Sequence, residues 1–348
     1  MRVADFDFHL PPELIAQHPA PERAASRLMV VDRAAETIAG FRTGDLPGLL
    51  TRGDLMVVND TRVFPARLHG QRVPSGGRVE CLLLRRIDEE RWDALVHPGQ
   101  KLRPGTVVRF ERDGVVLEAE ILDQRTFGRR TIRMARPDSG DVDAAIDTIG
   151  DVPLPPYIKR APDARDRERY QTVYARSRGS VAAPTAGLHL GHDTIARLDA
   201  AGIERAAITL HVGYGTFQPI RTGEVEAHRI DPEPYEIGEP ASRAIGAALD
   251  AGRRILAVGT TTTRTLEAVA AEHGGTVPAG AGYADLFIHP PFRFRVVRGL
   301  LTNFHLPQSS LLMLVCAFGG RELVLEAYRR AVAERYRFYS YGDAMLLL

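Results

Sequence analysis

Hydrophobic and polar positions change rhythm twice along the chain. LMVVD (28–32) and DLMVVND (54–60) are short apolar runs closed by charge, the pattern of buried strands. Ahead of them, Pro11 and Pro12 precede ELIAQH, which predicts a helix with proline in its first turn. From about residue 63 to 135 the apolar runs become short and frequent: ARLHG, GRVECLLLR, RWDALVHPG, GTVVRFER, GVVLEAEIL and GRRTIRM. Asp113-Gly114 between two of them is a hairpin signal. With no helical period there, the stretch predicts a small antiparallel barrel or sandwich. Residues 136–160, rich in Pro, Gly and Asp, read as a return connection.

Beyond about residue 180, strands alternate with helices. SVAAP, RAAITLHVG, RRILAVG, DLFIH, FRFRVV and LLTNFHLP have strand character. HDTIARLDAAG, SRAIGAALDAG, TRTLEAVAAE, SSLLMLVCAF and RELVLEAYRRAVAERY have helical character. Such alternation predicts strand–helix–strand units. Residues 1–62 lack partners of their own and are placed with the C-terminal part. The expected fold is a larger α/β domain (1–62 and 151–348) with a mixed or parallel, barrel-like sheet. A small all-β barrel domain (63–150) is inserted into it.

Composition narrows the class of protein. Two cysteines, Cys81 and Cys316, far apart in 348 residues, exclude a disulfide framework and a cysteine-rich zinc site. The longest clean apolar run, Leu311 to Phe318, has eight residues, short of the roughly 20 that span a bilayer. The first residues carry acids and prolines where a signal peptide needs an apolar core. A reduced, soluble, cytoplasmic protein is expected, as a monomer. The eleven histidines are scattered, so no metal is expected. A net charge of +1 says nothing about nucleic acid, but only two of the 45 basic residues are lysines, Lys101 and Lys159. In an arginine-rich chain, a surviving lysine can mark a place that needs a compact ammonium. Arginines cluster at 160–179, and Arg293 and Arg295 alternate with Phe292 and Phe294. Interleaved arginine and aromatics suit RNA; a salt-bridged surface accounts for them as well.

Four loops share one design, a strand ending in a polar or glycine-bearing turn: 182–189, 210–217, 258–264 and 302–307. Ligands of open α/β sheets bind outside the carboxyl ends of strands. Gly259, Thr260, Thr261 and Thr262 open a helix whose free amides favour an anion, although plain threonine capping explains the run too. Gly213 and Gly215 permit close approach of a flat ligand, and Tyr214 or Phe217 can stack on a base. His211 and His305 end strands, and Asp60 follows one, with Arg62 beside it. These three are the candidates for proton transfer. Neither G-x-G-x-x-G nor a P-loop is present.

Long segments carry a resemblance. FDFHLPPELIAQHP, GDLMVVNDTRVFPARL, GDVPLPPYIKR, GSVAAPTAGLH, LHVGYGTFQPIR, ADLFIHPPFRF, GLLTNFHLPQSSLLMLVCAFGG and YRFYSYGDAML closely resemble the S-adenosylmethionine:tRNA ribosyltransferase-isomerases of queuosine biosynthesis, over nearly the whole chain. The resemblance implies an α/β domain with an inserted barrel. It also implies a reaction: the ribosyl part of S-adenosylmethionine is transferred to 7-aminomethyl-7-deazaguanine in a tRNA anticodon and isomerised. Epoxyqueuosine-tRNA forms, and adenine and methionine leave. S-adenosylmethionine is then a co-substrate, with no further cofactor and no metal.

On this footing Gly213, Tyr214, Gly215, Thr216, Phe217, Gly259, Thr260, Thr261, Thr262 and Asn303 are assigned to S-adenosylmethionine. His211, His305 and Asp60 are assigned to catalysis. Arg62, Lys101, Lys159, Arg160, Arg293 and Arg295 are assigned to tRNA. The chain departs from the family's usual pattern at Gln308, where lysine is common, and at Leu190, Asp231 and His289. Two rival functions stay open: a methyltransferase using the same co-substrate, and a non-enzymatic RNA-binding module.

Overall fold

Strand β3 (Leu55–Asn59) shows how a period of two builds three layers. Leu55 and Val57 pack into one core with helices Glu239–Asp250, Thr260–Glu272, Ser310–Gly319 and Arg321–Ala333. Met56 and Val58 pack on the opposite face with Leu198 of helix His192–Ala200 and with Leu46. A strand buried on both faces must be apolar throughout, which is why LMVV reads as a continuous run.

The structure is a computed structural model that describes residues 1–213, 215, 220 and 222–348. In chain order its strands are β1 (Arg27–Asp32), β2 (Thr37–Arg42), β3, β4 (Thr61–Val63), β5 (Arg67–Val73), β6 (Arg78–Arg86), β7 (Arg91–His97), β8 (Val107–Arg112) and β9 (Val115–Ile121). They continue with β10 (Arg129–Ala135), β11 (Ser177–Ser180), β12 (Glu204–Leu210), β13 (Glu233–Ile237), β14 (Ile255–Val258), β15 (Gly280–Ala284), β16 (Gly299–Asn303) and β17 (Ala344–Leu347). Among the described residues nine strands form one mixed sheet in the order β15-β13-β12-β3-β14-β16-β17-β1-β2. The central neighbours β12, β3, β14 and β16 are parallel, so their carboxyl ends lie along one edge.

Six antiparallel strands, β5 to β10, close a barrel in the order β10-β7-β6-β5-β8-β9. Leu68, Cys81, Leu83, Ala94, Val96, Phe110, Leu117 and Ile132 fill it. Asp113 and Gly114, both at positive φ, make the β8–β9 hairpin turn. A two-stranded parallel pair, β4 with β11, lies between barrel and sheet in the chain path. The protein is thus an α/β domain with an inserted all-β barrel. No helix among the described residues is long and apolar enough to cross a membrane.

The structure corrects four expectations. Closure belongs to the insert alone: the large sheet is not barrel-like but ends at β15 and β2. The prolines at 11 and 12 start only a single turn, Pro12–Leu14, because the chain then extends and Ile15 bridges Phe338. The return connection contains a helix, Val142–Ile149, capped by the Asp141 side chain and seated on the barrel core through Ala145, Ile146 and Ile149. SVAAP, DLFIH and FRFRVV are not strands; of the first, only Ser180 lies in one, at the end of β11. The amides of Arg295, Val296 and Val297 instead donate to the Glu267 carboxylate, at 2.8, 3.0 and 2.8 Å, inside the α/β core. A buried acceptor replaces the strand ladder there.

Candidate active site

The parallel strand ends meet in a cavity of about 560 Å3. All four of the polar loops reach it: 182–186 from the first, Val212 from the second, Gly259 to Thr261 from the third, and Thr302, Asn303 and His305 to Pro307 from the fourth. Gln308 lines it too, as do Pro156, Tyr157, Tyr339 and Ser340, from segments that carry the family resemblance but at positions assigned to no site.

Gly259 opens the third loop with φ +96, a conformation that side chains rarely adopt. This turn aims the start of helix Thr260–Glu272 at the cavity. The helix's first outward backbone bond runs from Thr263 N–H to Gly259 O, so the amides of Thr260 to Thr262 precede it. Thr260 and Thr261 line the cavity. Thr262 does not: it is fully buried, and its hydroxyl donates to Val258 O at 2.8 Å. Its assignment as a ligand group therefore reduces to its backbone.

His305 is buried, and its Nε2 stands 2.8 Å from Thr302 Oγ1. Burial pushes its pKa down to about 3, so it is neutral at physiological pH. Asn303 is 2% exposed and bonds His189 Nε2 at 3.0 Å and the Tyr339 carbonyl at 3.2 Å. His189 is equally buried and also pushed down to about 3, by burial first and then by Arg337 and Arg23. Tyr157 and Tyr339 pack ring on ring with centroids 3.8 Å apart, and the Tyr157 hydroxyl bonds Ser340.

His211 and Asp60 are not among the cavity-lining residues; they form a cluster at the neighbouring ends of β12 and β3. His211 Nδ1 meets Thr61 Oγ1 at 2.8 Å, and Thr209 Oγ1 donates to Asp60 Oδ1 at 2.7 Å. The His211 ring lies so close to Gly179 that a Cβ there would approach it to 2.7 Å. Burial lowers the His211 pKa, against the opposing pull of Asp60 and Glu236. Val212, the next residue, does line the cavity.

Of the glycine loop, Gly213 donates its N–H to Glu233 Oε1 at 2.8 Å. Glu233 also pairs with Arg264 at 3.1 Å, with both side chains almost fully buried. The Thr-rich helix is thus linked to Gly213 through Arg264 and Glu233, a link that the sequence did not reveal because Glu233 and Arg264 are far apart along it. Gly215 faces Asp231. Tyr214, Thr216 and Phe217 lie outside the described residues.

The basic candidates separate. Lys159 is exposed two residues beyond Tyr157. Arg160 is committed to Asp166 by two bonds, at 2.6 and 2.7 Å, and to Gln17 O. Tyr341 also donates to Asp166, so Arg160 serves the packing of this segment. Arg62, Lys101, Arg293 and Arg295 are exposed, and none of them lines the cavity. Among the described residues no cluster of three or more His, Cys, Asp or Glu is arranged to hold a metal.

Comparison with known proteins accords with this architecture. The family model for queuosine biosynthesis proteins matches residues 3–347. An S-adenosylmethionine:tRNA ribosyltransferase-isomerase of Pelotomaculum thermopropionicum is 49% identical over 348 residues, covering all of both chains. Its namesake from an Anaeromyxobacter species is 52% identical over 351 residues, covering 100% of this chain and 99% of the relative. Among solved structures, the S-adenosylmethionine tRNA ribosyltransferase of Thermotoga maritima aligns with a TM-score of 0.55 at 36% identity, over 99% of this chain and 100% of that one. With sequence and architecture in agreement from end to end, the chain belongs to the queuosine biosynthesis family of S-adenosylmethionine:tRNA ribosyltransferase-isomerases.

Proposed function

We propose that this chain transfers the ribosyl group of S-adenosylmethionine to the 7-aminomethyl-7-deazaguanine of a tRNA anticodon and isomerises it, with the co-substrate held in the cavity at the strand ends. The observation that carries this reading is the convergence of four polar strand-end loops on one cavity. The helix start at Thr260 and Thr261 suits the methionine carboxylate. The glycine loop at Gly213 and Gly215 suits the adenosine.

A sulfonium acidifies the C–H bonds beside it, so the chemistry needs a base, an acid for departing adenine, and exclusion of water. His211 is the base in this reading, acting from beside the cavity at its Val212 edge rather than from among the lining residues. Its lowered pKa leaves it neutral near pH 7, and Asp60 steadies the imidazolium once it takes the carbon-bound proton. His305 remains neutral and hydrogen-bonds the leaving adenine rather than acting as a charged acid. Methionine departs as a neutral thioether. The modified base enters past Tyr157, with Lys159 on the phosphates. In this reading the chain acts as a cytoplasmic monomer and calls on no metal.

The test is incubation with labelled S-adenosylmethionine and precursor tRNA. Adenine and methionine released only when tRNA is present are the expected result. Methyl transfer, or tRNA binding without turnover, would contradict it.

A further inference from the structure

The Asn303 side chain carries two donor hydrogens on nitrogen and one acceptor oxygen. Its nitrogen stands 3.2 Å from the Tyr339 carbonyl oxygen. A carbonyl can only accept, so the atom facing it is the NH2 and the amide has a single orientation. The other hydrogen goes to His189 Nε2, 3.0 Å away. His189 therefore presents a lone pair at Nε2, its proton resting on Nδ1. Burial keeps this imidazole neutral, so the contact persists over the working pH range.

Both Asn303 donors are thus used. Its Oδ1 is buried and has no hydrogen-bond partner among the described residues. A buried amide oxygen left unpaired is costly, and a ligand donor removes that cost. Asn303 lines the cavity next to the helix start. Val258 of β14 is the register partner of Leu301 of β16, and Gly259 N–H bonds Leu301 O at 2.8 Å. Two residues beyond this pair on each segment, Thr260 and Asn303 both line the cavity. Donor amides with a positive helix end thus adjoin a lone acceptor. One chemical group matches both at once: a carbon that bears a carboxylate and an ammonium.

We infer that Asn303 Oδ1 receives the α-ammonium of the methionine end of S-adenosylmethionine while its carboxylate rests on the Thr260 and Thr261 amides. His189 is a positioning residue that holds the carboxamide in this orientation. This rests on the proposed reading of the cavity.

The experiment compares kcat/KM for tRNA-dependent adenine release, at saturating precursor tRNA, for S-adenosylmethionine and for an analogue with hydrogen in place of the α-amine. Wild type favours the natural compound about 10- to 100-fold, through KM, the scale of one hydrogen bond to a charged group. Asn303→Leu loses this preference. His189→Leu, which removes one of the two contacts that orient the amide and leaves the Tyr339 carbonyl, loses part of it. Equal use of both compounds by wild type overturns the inference, as does a preference retained by Asn303→Leu. So does a preference that follows deletion of a ribose hydroxyl instead. The wild-type comparison needs no variant, so a misfolded variant does not decide the matter. Absence of tRNA-dependent adenine release from wild type would instead overturn the reading of the cavity.

Discussion

His189 and His305 each stand in the core with a pKa near 3, against about 6.5 in an unfolded chain. Between those values the unfolded state binds the protons that the folded state refuses, so stability is lost as pH falls below about 6.5. Each histidine contributes a slope approaching 1.4 kcal/mol per pH unit in that window. Urea unfolding between pH 7.5 and 5 should show the decline, and His189→Gln should remove about half of it, since His305 keeps its share; a flat wild-type profile would contradict the burial of both rings. His211 differs because it is only half-buried and has Asp60 beside it. His211→Gln should melt near the wild-type temperature yet slow single-turnover adenine release at least a hundredfold, within the roughly 10²–10⁴ of a positioned base. An unchanged rate would remove His211 from the chemistry. The placement of His211 and His305 just past strand ends was legible in the sequence. His189 was not, since its value lies in holding Asn303, 114 residues away in sequence.

At the scale of elements, three of the strand-end loops were readable because each follows an apolar strand, β12, β14 or β16; the first follows the polar β11, SRGS. FRFRVV misled for a physical reason. Its alternation is real, with Phe292 and Phe294 packed inward and Arg293 and Arg295 exposed. Its amides, however, are taken by Glu267 from a neighbouring helix, and no local pattern announces a carboxylate donated from a distance. Glu267→Gln should replace the acceptor facing Arg295 N–H or those facing Val296 and Val297, at a cost of about 1–3 kcal/mol. Amide exchange should quicken at residues 295–297 in that variant. Protection equal to wild type would show that packing of the phenylalanines alone holds the segment. The helix Val142–Ile149 escaped notice because its apolar face is short and set among Pro, Gly and Asp.

For the whole molecule, the chain folds a parallel sheet edge, a barrel and a cavity into one arrangement, and the proposed function requires tRNA to reach that cavity from outside. On that proposal Lys159, exposed two residues beyond the cavity-lining Tyr157, meets phosphate. Lys159→Ala should weaken tRNA binding and reduce the slope of log affinity against log salt by about one unit. An unchanged slope would place the phosphate contacts elsewhere. Arg160→Ala should instead lower stability, because its guanidinium holds Asp166. That an all-β barrel is inserted in an α/β fold was legible from the change of hydrophobic rhythm near residues 63 and 180. The open form of the large sheet was not, since strand order depends on contacts between segments hundreds of residues apart, such as β1 with β17. The most direct test of the central claim is a crystal structure with S-adenosylhomocysteine, which lacks the reactive sulfonium. Its carboxylate is expected at the Thr260 and Thr261 amides, with the adenosine towards Gly213. A ligand bound outside this cavity would contradict the account.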